Sequence, residues 1–95
     1  MYKISRYSYI TAKKLGIHII PSHNKKKKID VLDYYGNYIT SIGSYGMNDY
    51  EIYLKAKYGK KYADERRRLY QLRHKKDINK LGSAGYYANI LLWRG

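Results

Sequence analysis

Ninety-five residues suffice for one small domain, residues 1–95, with a core large enough to fold and small enough to be marginal. Twenty Lys and Arg against seven Asp and Glu give a formal net charge of +13, which opposes compaction and points to an anionic partner: nucleic acid, anionic lipid or an acidic protein face. The absence of Cys excludes a disulfide framework, a thiol nucleophile and a Cys-based zinc site, and no apolar run approaches the roughly 20 residues that span a bilayer.

The first stretch, MYKISRYSYITAKK, has no apolar core of the signal-peptide kind, so the chain reads as soluble and unexported. Ser5 is placed to cap a helix over 5–15, in which Tyr9, Ala12 and Leu15 give a thin apolar stripe and Gly16 the stop. Ile17 to Ile20 is a short β-prone run closed by Pro21-Ser22. His23 to Lys28 reads as a cationic connector. Ile29–Asp33 and Tyr38–Ile42 alternate apolar and polar residues, and Gly36-Asn37 between them suits a hairpin turn with positive φ. These segments predict a small three-stranded, mainly antiparallel sheet.

Gly43 to Gly46 marks the exit from the sheet. Asn48 followed by Glu51 matches a capping box for a helix to about Tyr58, with Ile52, Tyr53 and Ala56 on its buried side and Gly59 just past its end. A long basic helix is expected near 60–78. Its defining stretch, Tyr62 to Lys76, sets Tyr62, Leu69 and Leu72 on one side as an apolar seam. Asp64 can reach Arg67 or Arg68, and Glu65 can reach Arg68, at helical neighbour spacing. Ser83 can cap a last helix, GYYANILLW, with Tyr86, Ile90 and Trp93 on one face and Tyr87 and Leu91 beside them. The class is therefore α+β, a three-stranded sheet with packed helices.

The charges are blocked. Residues 1–28 hold eight bases and no acid, 29–54 four acids and no Lys or Arg, and 55–81 eleven bases with three acids. Lys25, Lys26, Lys27 and Lys28 put four ammonium groups side by side, which suits a grip on backbone phosphates. Such a grip carries no sequence information. In the long helix Arg68 is assigned to an acidic neighbour. Arg66, Arg67, Arg73, Lys75 and Lys76 are assigned to phosphate, with Arg66, Arg73 and Lys76 forming one row. Fourteen Tyr and no Phe could serve base stacking or interfaces, but an AT-rich genome accounts for most of them, with several simply replacing Phe in the core.

No catalytic or metal-binding constellation is legible. His18, His23 and His74 share no metal-ligand spacing, the four acids of 29–54 form no metal loop, and the glycines miss the phosphate-loop signature. An enzyme and a cofactor are therefore not expected. Asp64 and Glu65 near the start of the basic helix would repel phosphate, which argues against helix-turn-helix reading of bases.

The run IDVLDYYGNYITSIGSYGMNDYEIY, then YADERRRLYQLRHKKD, then GSAGYYANILLW resembles a family of short basic proteins from large DNA viruses of algae and protists. The likeness spans about Leu15 to Trp93, with Asp49-Tyr50, Arg66 to Tyr70, Arg73-His74, Gly85 to Ala88 and Leu92-Trp93 as its distinctive parts. It leaves residues 1–14 without a role. The resemblance implies a viral origin, no known enzymatic activity and a place in the virion, reached through the host cytoplasm or nucleus. The partner expected first is packaged DNA, held by its backbone without sequence preference. The rival reading is a minor capsid or cement protein anchored through Tyr86, Tyr87, Leu92 and Trp93. Its cations would then face acidic capsid proteins or an internal virion membrane, and self-association stays open.

Overall fold

The computed structural model describes residues 2–56 and 59–94 and has a small α+β fold. Its contacts divide into two compact units, Met1–Gly46 and Met47–Gly95. In the first unit, helix α1 (Arg6–Leu15) starts where its cap predicts, because the Ser5 hydroxyl accepts the Ser8 amide at 3.1 Å. It stops at Gly16, whose φ of +72° lets the chain turn back so that the amides of Gly16 and Ile17 close on the last helical carbonyls. The face α1 buries is Ser8 and Ala12, while Tyr9 and Leu15 lie exposed. The expected stripe is thus rotated: two small residues admit close approach, and the Ser8 hydroxyl is satisfied by Ser5 at 3.0 Å.

Three strands follow in the order β1 (His18–Pro21), β2 (Lys27–Leu32) and β3 (Tyr38–Ser44), both neighbouring pairs antiparallel. Register aligns Ile19 with Val31, and Pro21 with Ile29 and Ile42, so one face of the sheet is a block of buried aliphatic side chains. Central β2 is buried on its other face too, through Lys28 and Asp30. β2 begins two residues earlier than the alternation predicts, since Lys27 pairs with Ser44, and the connector shortens to a turn. The β2–β3 loop turns at Gly36, φ +89°. It is closed by the Asp33 carboxylate, which accepts the amides of Tyr35 and Asn37 at 2.9 Å each and the Asn37 side-chain amide at 3.1 Å.

The second unit is helical. Asp49, not Asn48, caps α2 (Tyr50–Lys55), its carboxylate accepting the Ile52 amide at 3.1 Å. The one-residue shift turns Tyr50 inward and leaves Ile52 and Ala56 exposed, which reverses the expected buried side. The predicted end of this helix at Tyr58 lies outside the described residues. Helix α3 (Gly59–Arg73) is followed, after a break at His74, by the single turn α4 (Lys75–Ile78). One continuous helix over 60–78 is therefore corrected to two.

The buried line of α3 runs through Ala63, Arg67 and Tyr70, about 100° from the predicted seam. Tyr62 and Leu69 are partly exposed and Leu72 is 59 % exposed. Aromatic packing decides this orientation. Tyr70 stacks on Trp93 with centroids 4.5 Å apart and planes 11° apart, a pairing available only when Tyr70 faces inward. Helix α5 (Ala84–Leu92) is capped by Ser83 as expected, the hydroxyl accepting the Tyr86 amide at 3.2 Å. It buries Ala88, Asn89, Leu91 and Leu92, with Trp93 at its end. Gln71 of α3 donates to Asn89 of α5 at 3.2 Å, so the buried amide is paired.

Candidate nucleic-acid interface

The first cationic cluster is the β1–β2 turn. Its position is fixed from Asp30 outward. The Asp30 carboxylate accepts the hydroxyls of Ser22 and Ser41 at 2.6 Å each and the His23 amide at 3.3 Å, tying the turn to the sheet. Burial pushes the Asp30 pKa up, but these three donors outweigh it and hold the carboxyl below its ordinary 3.8. Within the turn, Ser22 Oγ accepts the Asn24 amide and Asn24 Oδ1 accepts the Lys26 amide, at 3.0 and 2.9 Å. Lys25 and Lys26 project from this braced loop and are exposed.

Lys27 and Lys28 do not join them. Lys27 enters β2 and is half-buried; Lys28 is 3 % exposed with its ammonium 5.1 Å from the centroid of the Tyr2 ring. The four-ammonium row is corrected to a two-lysine tip, because strand pairing sends successive side chains to opposite faces.

The second cluster belongs to α3 and α4. Arg68 pairs with Glu65, as expected, through bonds of 2.6 and 3.1 Å. Arg66 and Arg67 depart from expectation. Arg67 lies 4.8 Å from the Tyr50 ring, pairs with Asp64 at 3.4 Å and donates to the Arg94 carbonyl at 3.5 Å. Arg66 is half-buried 5.5 Å from the Tyr53 ring, and its buried Nε has no hydrogen-bond partner among the described residues. Both guanidiniums thus act as flat packing surfaces for tyrosine, a role the planar group suits.

Asp64 binds Lys60 at 2.8 Å and accepts the Tyr50 hydroxyl at 2.6 Å, which lowers its pKa. The Tyr50 pKa is raised, first by that bond and then by burial. Arg94 closes this end of the unit. It pairs with Glu51, which is thereby drawn away from a capping-box role, and lies 5.2 Å from the other contact of Arg67, the Tyr50 ring.

Arg73, Lys75 and Lys76 are exposed where α3 gives way to α4, and Lys80 follows. Among the described residues no carboxylate pairs with Lys25, Lys26, Arg73, Lys75 or Lys76. The helical row of Arg66, Arg73 and Lys76 is not formed, since the break at His74 separates its last member and burial removes its first.

Of the tail residues predicted as interface anchors, Leu92 and Trp93 are buried and belong to the core of the second unit, whereas Tyr86 and Tyr87 are half-buried and pack edge to face at 5.4 Å. Sequence reading missed Asp30 and the Ser pair that positions Lys25 and Lys26. The available signal was an acid between Ile29 and Val31 in a predicted strand, a residue that needs donors on neighbouring strands if that face is covered.

No protein-family model, curated protein or solved structure matches this chain. The viral resemblance therefore rests on its residues alone.

Proposed function

We propose that this protein is a small, basic, non-enzymatic virion protein of a large DNA virus, resident in the virion and in the host cytoplasm or nucleus during infection. It holds the backbone of packaged DNA without reading sequence. The observation that carries this reading is the pair of exposed cationic clusters, Lys25-Lys26 and Arg73-Lys75-Lys76, which have no carboxylate partner among the described residues. Lysine ammoniums are point charges, so they neutralise phosphates and release counterions whatever the base sequence. Two of the arginines expected at the interface, Arg66 and Arg67, are instead occupied with tyrosine rings. The test is the affinity of Lys25→Gln/Lys26→Gln and of Arg73→Gln/Lys75→Gln/Lys76→Gln for one random-sequence duplex. Each set should weaken binding, and wild-type affinity in both would overturn the reading.

The alternative, a minor capsid or cement protein, draws support from a different place than the tail. Tyr35 at the β2–β3 loop is 85 % exposed, and Tyr34 and Tyr38 beside it are largely exposed. Such rings supply interface area at low entropic cost. Loss of particle association on Tyr35→Ser, with duplex binding intact, would favour that role.

A further inference from the structure

A groove of about 450 Å³ lies inside the first unit, between the end of α1, strand β1 and the β2–β3 loop. Its floor is apolar, from Ala12 and Ile17, while Tyr9, Tyr34, His18 and Lys13 complete its lining. The volume falls in the range of small-ligand sites. Tyr34 is 69 % exposed, and its backbone is tied to its neighbours. Its carbonyl contacts His18 Nε2 at 3.2 Å, its ring lies 6.2 Å from the His18 ring, and Tyr35 braces it edge-on at 5.4 Å. The Asp33 bonds that close the loop fix the backbone on either side. An aromatic ring on a tied backbone has less freedom to lose when a ligand docks.

We propose that this groove takes an unstacked base of a single-stranded nucleic acid, with Tyr34 and Tyr9 as stacking surfaces and Lys13 on the adjoining phosphate. The inference rests on the polyanion reading above and adds a preferred form of nucleic acid to it. Three features select this occupant. The floor offers apolar contact rather than polar recognition, which suits the face of any base. Lys13, exposed in the lining, supplies a cation beside the rings, the pairing of stacking surface and charge that single-strand sites use. The unit as a whole carries eight Lys or Arg against two acids, Asp30 and Asp33, so an anionic ligand is favoured. Bases inside a duplex present only their edges, so the groove can act only on unpaired nucleotides.

The test compares three probes of equal length at one salt concentration: oligothymidylate, an abasic phosphodiester strand and a random duplex. Wild-type protein should bind oligothymidylate about tenfold tighter than the abasic strand, a difference of about one stacked base. Tyr34→Ala and Tyr9→Ala should each narrow that gap and leave affinity for the abasic strand and the duplex unchanged. Circular dichroism confirms that the variants fold, which the exposure of both rings leads us to expect. Equal wild-type binding to oligothymidylate and abasic strand would overturn the groove assignment while leaving backbone binding intact. No binding to any probe would overturn both. If Tyr34→Ala dissociates an oligomer in sedimentation without changing the oligothymidylate preference, the groove takes a second copy of the chain and the proposal fails.

Discussion

Asp30→Asn is the substitution that most sharply tests how the first cationic cluster is built. The side chain keeps its shape but loses its charge and presents an amide where an acceptor stood. Ser22 Oγ already accepts the Asn24 amide, so its own proton is directed at Asp30; the Ser41 proton is directed there as well. Asparagine can keep its oxygen towards both hydroxyls only by setting its amide against the His23 N–H. Two charge-assisted bonds become neutral, losing roughly 0.5–1 kcal/mol each, and the N–H of exposed His23 loses its protein acceptor at up to about 1 kcal/mol, for a total of about 1–3 kcal/mol. For a chain this small that is about 5–20 °C in Tm. Thermal unfolding followed by circular dichroism at pH 7 measures it.

The pH dependence gives an independent check. Because the folded-state pKa of Asp30 lies below 3.8, its contribution is present above that value and is lost as pH falls through the lower folded value. The gap between wild type and Asp30→Asn should therefore narrow as pH drops from about 5 towards 2. A variant within about 0.5 kcal/mol of wild type at pH 7, or a gap that does not narrow in acid, would refute the bracing role.

The second unit supports two further predictions. Gly85 sits where α5 meets α4, and a Cβ there would lie 2.5 Å from Asp77 Cβ and 3.2 Å from its backbone carbon. Gly85→Ala should destabilise by about 1–3 kcal/mol despite the better helix propensity of alanine, and a stabilised variant in urea melts would contradict that packing. Tyr50→Phe removes the hydroxyl that donates to Asp64 at 2.6 Å while leaving the ring between Arg67 and Arg94. It should cost about 1–2 kcal/mol in chemical denaturation, and no loss would place the stabilisation in the ring contacts alone.

Much of this fold could be read from local chemistry. Ser5, Gly16 and Ser83 mark helix ends by mechanisms that need only a few neighbouring residues, and each acts where the sequence places it. Two strands followed from alternation and the first from a short β-prone run, with boundaries shifted by one or two residues. Orientation was less legible. The buried face of α3 is chosen by the Tyr70–Trp93 stack and by Arg67 lying on Tyr50, contacts between residues about 20 positions apart. A hydrophobicity pattern ranks leucine above arginine for burial, and so it selected Tyr62, Leu69 and Leu72. The same blindness placed Arg66 and Arg67 on the surface, because a pattern cannot see a guanidinium packed against a ring. In the β1–β2 turn, four like charges looked like one site until strand register divided them two and two. Asn48 and Asp49 are both good caps, and only the inward turn of Tyr50 decides between them.

The central claim is sequence-independent binding to nucleic-acid phosphate through exposed cations. Fluorescence anisotropy with random-sequence duplex DNA, titrated from low to physiological salt, tests it most directly. The clusters Lys25-Lys26 and Arg73-Lys75-Lys76 offer five cations to phosphate, so engagement of all of them should give a log–log salt slope of about −4 to −5. A second duplex of unrelated sequence should fall on the same line. Binding that ignores salt and favours one duplex, or no binding even at low salt, would contradict the account.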